Sequence, residues 1–192
     1  MDLDWTLCRS FLLVAETGSL SAAARTLRLT PHPDFPEPAV QDLTVTLEPQ
    51  PEGIALRYRL DGAIDRLAIP APGATVRADD LWRHTCFEAF VRTPGGYREF
   101  NLSPSSAWAA YDFTDYRVRT TDPDVAAPAI VVTRGADHLV LETVLPIRTG
   151  RVSVTAVVET AEGRISYWAL AHAPGKPDFH HPDGFVLDLD TP

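Results

Sequence analysis

The sequence predicts a mainly β protein, an antiparallel β-sandwich carrying a short N-terminal helical appendage. Three observations carry that expectation: apolar residues alternate with polar ones along most of the chain, turn dipeptides recur between the alternating runs, and helical spacing is confined to the start. With 192 residues and 45% hydrophobic content, the chain suits one domain plus an appendage and can bury a substantial core.

Taken in order, residues 3–15 place Leu3, Leu7, Phe11 and Val14 at helical spacing, and Ser19 can cap a second short helix through Ala22 to Leu27. The stretch WTLCRSFLLVAETGSLSAAARTLRLT resembles the first two DNA-binding helices of LysR-type transcription regulators. That resemblance covers about residues 1–30 and implies, as an alternative function, a DNA-binding regulator. In such a motif the recognition helix follows directly and reads the bases. Here Pro31, Pro33, Pro36 and Pro38 follow instead, and proline both removes backbone donors and bars helix. The expectation is therefore a helix-turn-helix remnant over residues 1–28 that lacks its reading helix, ahead of a β domain over 29–192. Residues 26–30 suit either a helix end or a short alternating strand.

From residue 40 the period is two. Leu43, Val45 and Leu47 alternate with polar neighbours, as do Leu56, Tyr58 and Leu60, then Val152, Val154, Ala156 and Val158, then Ile165, Tyr167 and Ala169. Pro94-Gly95-Gly96, Arg134-Gly135 and Glu162-Gly163 supply turns between such runs. Many short strands with tight turns imply an antiparallel sandwich.

The block 81–117, LWRHTCFEAFVRTPGGYREFNLSPSSAWAAYDFTDYR, concentrates aromatic rings and carboxylates in a stretch of strands and turns. A pyranose offers CH faces that stack on indole and hydroxyls that need carboxylates or amides. Trp82, Trp108 and Trp168 are the stacking candidates, and Glu88, Glu99 and Asn101 the polar ones. Glu99 and Asn101 stand two apart, so in a regular strand they share a face. Together with SYWALAHAPGKPDFHH at 166–181, the runs LWRHTCFEAF at 81–90 and YREFNLSPSSAWAAYDFTDYR at 97–117 resemble the DOMON-like, family-nine-type carbohydrate-binding modules. The resemblance spans about residues 26–192 and implies a β-sandwich with a ligand-binding role, sugar or haem being the ligand in relatives.

Other chemistries find less support in the residues. A net charge of −9 and a pI near 5.0 disfavour nucleic acid and anionic membrane surfaces as partners, since phosphate neutralisation needs clustered Lys and Arg. The expected partner is a small molecule, a saccharide. Met1 is the only methionine, which argues against Met/His haem ligation, while His84 with His172 or His180 leaves a bis-histidine arrangement open. His172, His180 and His181 lie near Asp178 and Asp183 without a metal-ligand spacing, so a loop-anchoring role is expected and neither metal nor cofactor is assigned. Ser103-Pro104-Ser105 reads as a turn rather than a nucleophile elbow, Cys86 as a buried inert thiol, and the protein as non-catalytic. Cys8 and Cys86 form no disulfide framework, the acidic start lacks a secretory pattern, and no apolar run reaches membrane-spanning length. A cytoplasmic protein is expected.

Overall fold

The computed structural model describes residues 24–190, so the expected N-terminal helices up to residue 23 lie outside the described residues. The described chain is mainly β and antiparallel. Five strands form one sheet: β1 (Arg25–Arg28), β3 (Val40–Gln50), β4 (Gly53–Gly62), β9 (Val131–Arg134) and β10 (His138–Leu145), in the order β1-β3-β4-β10-β9. The second sheet runs β2 (Thr30–Pro31), β12 (Ile165–Ala169), β11 (Arg151–Glu159), β5 (Cys86–Thr93), β6 (Gly96–Leu102), β7 (Trp108–Asp115), β8 (Val118–Arg119). A short β13 (Leu187–Asp188) adds an eighth strand by pairing with β11.

Residues 26–30 resolve as strand, not helix end. Arg25 to Arg28 pair with Thr44 to Leu47 at the edge of the five-stranded sheet, and Leu29 is buried where the chain crosses. Thr30 and Pro31 then pair with Ala169 and Trp168 at the edge of the other sheet, a position where a proline's missing donor costs no ladder bond. A helix running to Leu27 and a domain boundary at residue 28 are both displaced by this pairing, because the alternating residues gain a partner strand. The proline-rich segment is held against the same sheet edge. His32 Nε2 bonds the Gly175 carbonyl at 2.9 Å, Phe35 packs edge-on to Tyr167 at 5.2 Å, and Glu37 accepts from the Ala39 N–H at 2.9 Å.

Both sheets turn one face to a shared core, a sandwich-like arrangement. Leu43, Val45, Tyr58, Leu60, Leu139 and Leu141 from one sheet meet Phe87, Phe100, Leu102, Val154, Ala156 and Val158 from the other. Tyr58 lies 5.0 Å from the Phe87 ring and donates its hydroxyl across the core to the Glu88 backbone carbonyl at 2.7 Å. The tight β5–β6 hairpin depends on Gly96 at φ 142°, where a Cβ would collide with the Phe113 carbonyl oxygen.

Candidate functional site

Alternation along β5, β6, β7 and β11 sends a second set of side chains to the side of the eight-stranded sheet that faces away from the core. The register assembles them in rows. Thr155, Glu88 and Asn101 stand opposite one another, and the next row holds Ser153, Phe90, Glu99 and Tyr111. An outward face would ordinarily meet water, yet Glu88, Glu99 and Asn101 are 2%, 4% and 0% exposed. Loops cover them, and between loops and sheet a cavity of about 370 Å³ remains.

The floor of that cavity is acidic. The Thr155 hydroxyl donates to Glu88 Oε2 at 3.0 Å, and the Asn101 amide donates to Glu99 Oε1 at 2.5 Å. The Cys86 thiol donates weakly to Asn101 Oδ1 at 3.5 Å, orienting the amide so that its NH₂ faces Glu99. Burial pushes the Glu88 carboxyl well above the usual carboxylate range, and the neighbouring Glu99 pushes it further. Burial likewise raises Glu99 to about 7, against the opposing pull of the Asn101 hydrogen bond and the Arg117 and Arg119 charges. The same desolvation raises the Cys86 thiol, which leaves it a poor nucleophile.

The roof is the 177–185 segment. Tyr97 accepts the Arg117 backbone N–H at 3.1 Å, which leaves its own proton for His180 Nδ1 at 2.8 Å. Burial, then the Arg117 charge, lowers His180 to about 4, so the ring is neutral and carries its proton on Nε2, 3.8 Å from Glu99 Oε2. Asp178 fastens the roof by accepting from Arg117 at 2.9 Å and from the Tyr116 hydroxyl at 2.6 Å. Beneath it Tyr97 and Phe113 stack at 4.7 Å, with Phe90 and Phe185 packed around them.

One wall comes from β7 and the 79–83 segment. Tyr111 donates to Asp79 at 2.8 Å and lies under the Arg119 guanidinium at 4.0 Å, while Arg119 is held by Asp122 at 2.7 Å. Trp82, on a single 3₁₀ turn over Leu81–Arg83, lines the rim and is 47% exposed. Three non-glycine residues among those described have left-handed backbone, and two of them, Asp80 and Arg117, line this cavity. Backbone of that kind concentrates where surrounding contacts hold a site in shape.

Of the residues expected to bind ligand, Trp82, Glu88 and Glu99 come together around the cavity, with Asn101 beside Glu99. Trp108 and Trp168 do not join them. Trp108 stands opposite Leu102 and Trp168 opposite Ala156, so both indoles point into the shared core, and Trp168 satisfies its N–H on Ser166 at 2.9 Å. Their strand parity, one residue out of step with the outward rows, places them there. Tyr111, Arg117, Arg119, Phe179 and His180 line the cavity and were not among the expected ligand-binding set. Tyr111 had a readable signal once β6 and β7 pair, since it stands opposite Glu99; the arginines and the roof did not, because a turn, the two-residue β8 and the 177–185 segment bring them in.

The histidine-rich end behaves as an anchor: His180 bonds Tyr97, His172 Nε2 bonds the Thr30 carbonyl at 2.9 Å, and His181 Nδ1 accepts from the Asp183 N–H at 3.2 Å. Among the described residues no group of three or more His, Cys, Asp or Glu is placed to hold a metal ion. Ser103 Oγ accepts from the Ser105 N–H at 3.2 Å and hydroxyl at 2.9 Å, as a turn residue does. No helix among the described residues is long and apolar enough to cross a membrane. No protein-family model matches the chain, and neither curated proteins nor solved structures match it.

Proposed function

We propose that this chain is a non-catalytic binding module whose outward cavity takes a small saccharide. The observation that carries the reading is the pairing of a buried polar floor, Glu88 and Glu99, with an aromatic rim of Trp82, Tyr111 and Phe179 around about 370 Å³ of space. Volumes of a few hundred Å³ suit small ligands. A protonated carboxyl can both donate and accept, which matches a sugar hydroxyl, and exposed Trp82 can stack on a sugar CH face.

Binding accounts for the floor better than glycoside hydrolysis does. A hydrolytic pair needs environments that push the two carboxyls apart, one held ionised and one protonated. Here burial pushes both in the same direction, and among the described residues neither has an arginine hydrogen-bonded to it.

The test is calorimetric titration of the full chain with mono- and disaccharides, read beside tryptophan fluorescence. Among the tryptophans of the described residues Trp82 is the reporter, because Trp108 and Trp168 are sealed in the core. Saturable heat with a fluorescence change that Trp82→Phe removes is the expected result. Absence of saturable heat with every sugar would overturn the reading.

A further inference from the structure

We propose that the ligand's anchoring group is a cation, an ammonium carried by the saccharide, seated between the Glu88 and Glu99 carboxyls. The inference rests on the saccharide reading of this cavity and adds the charge of what enters it. The rim is already electrically matched. Arg117 is bonded to Asp178 at 2.9 Å, Arg119 to Asp122 at 2.7 Å with Asp79 at 3.5 Å, and Arg83 to Asp80 at 3.2 Å.

The floor is not matched. Glu88 has one oxygen on Thr155, and its other oxygen has no hydrogen-bond partner among the described residues, although the side chain is 2% exposed and lines the cavity. Glu99 has one oxygen on Asn101, and the nearest cation-forming group to the other is the neutral His180 ring at 3.8 Å. Both partners that do reach these carboxyls, a hydroxyl and an amide, are uncharged. Two carboxyls buried side by side with no cation bonded to them are costly to ionise, and a ligand that brings the positive charge into contact lowers that cost.

A metal ion is the less fitting occupant, because the described residues supply two carboxylates and no third ligand group in position. An organic ammonium needs only hydrogen-bond acceptors, and both free carboxylate oxygens offer that.

Proton linkage gives the inference its own signature. Entry of an ammonium ionises the pair, so the carboxyl protons leave to the buffer. With Glu99 at about 7, affinity rises as pH climbs towards neutrality. It declines again where the ligand amine loses its proton, at about 8 for an amino group beside electron-withdrawing carbon, as in an amino sugar, and at about 10 for a simple alkylamine such as propylamine. Groups facing the pair are His180 from the roof, Arg117 and Arg119 from the β7–β8 end, Asp79 from the wall, and Cys86 and Tyr111 from the sheet. Of these His180 is already neutral near pH 6, so it does not mimic the signal there.

The experiment is titration calorimetry of the full chain with glucosamine, N-acetylglucosamine and glucose, in two buffers of different ionisation heat, with propylamine and calcium chloride as further probes. The expected result is glucosamine bound at least about tenfold more tightly than its neutral N-acetyl form, as one charge-assisted contact warrants, with proton release. Glu88→Gln, which keeps the shape, should erase that preference and the proton release. Neutral sugars bound as well as glucosamine would overturn the cation seat and leave the saccharide reading standing. Propylamine bound where no sugar binds would support the cation seat and overturn the saccharide reading. Displacement of glucosamine by calcium at matched ionic strength would assign the seat to a metal and overturn the inference, and no binding of any probe would overturn both readings.

Discussion

The outward faces of the two sheets handle charge in opposite ways. On the five-stranded sheet, carboxylates stand at the surface beside arginines: Arg57 with Glu142 at 3.1 Å and Arg59 with Asp61 at 2.6 Å. On the eight-stranded sheet, Glu88 and Glu99 are roofed over and left without an arginine partner among the described residues. Same strand geometry and same residue type thus serve different ends. An exposed pair contributes little and keeps a surface hydrated, whereas a buried unpaired carboxyl stores a demand for a partner. Folding alone gives no reason to keep the second arrangement, which is why the cavity, and not the more heavily charged open face, is the candidate site.

The largest effect in breaking this contrast should come from the face that is neither. Trp108→Ala empties a core position, and chemical denaturation should show a loss of about 3–5 kcal/mol. A ligand-contacting residue on the surface would not lose that much.

Next comes the pH profile of stability. Glu99 holds its proton more tightly folded, at about 7, than its ordinary value of 4.5, so its contribution is present at low pH and is lost as pH rises through about 7. His180 runs the other way: held at about 4 against an ordinary 6.5, it contributes above 6.5 and is lost as pH falls through about 4. Denaturation of Glu99→Gln across that range should show a decline towards neutral pH shallower by about 3 kcal/mol. An unaltered profile would mean that the carboxyl is not desolvated.

Smaller again is the rim. Trp82→Ala should leave stability within about 0.5 kcal/mol, because the ring is half exposed, and weaken saccharide binding about tenfold. Equal affinity in the variant would remove stacking from the site. The smallest effect belongs to the open face: Arg57→Ala should cost about 0.5 kcal/mol or less and leave ligand binding unaltered, checked by the same two titrations.

Much of this was legible in the residues. Alternation announced the strands, the Gly96 turn announced the β5–β6 hairpin, and the spacing of Glu99 and Asn101 put them on one face before any partner strand was known. Trp108 and Trp168 show where legibility stopped. Near Trp108, the outward and inward residues are both apolar and large: Phe113 and Tyr111 face out along β7 while Trp108 faces in, so hydropathy cannot say which set meets the other sheet. Along β12 the same holds, with Tyr167 on one face and Trp168 on the other. The 177–185 segment and the short 116–119 stretch that ends in β8 have no periodicity to read, yet they convert an outward face into a closed one.

By itself, then, the sequence determined strand character, turn positions, a negative net charge and which residues share a face, because these depend on a period of two and on local backbone chemistry. Only the tertiary structure decided which face turns inward, which loop covers the other, and that Glu88 and Glu99 end side by side with no arginine or lysine of the described residues bonded to either. Those outcomes depend on pairing between strands distant in the chain, and the face of a strand that gains a second layer is settled by what packs against it, not by the strand's own residues.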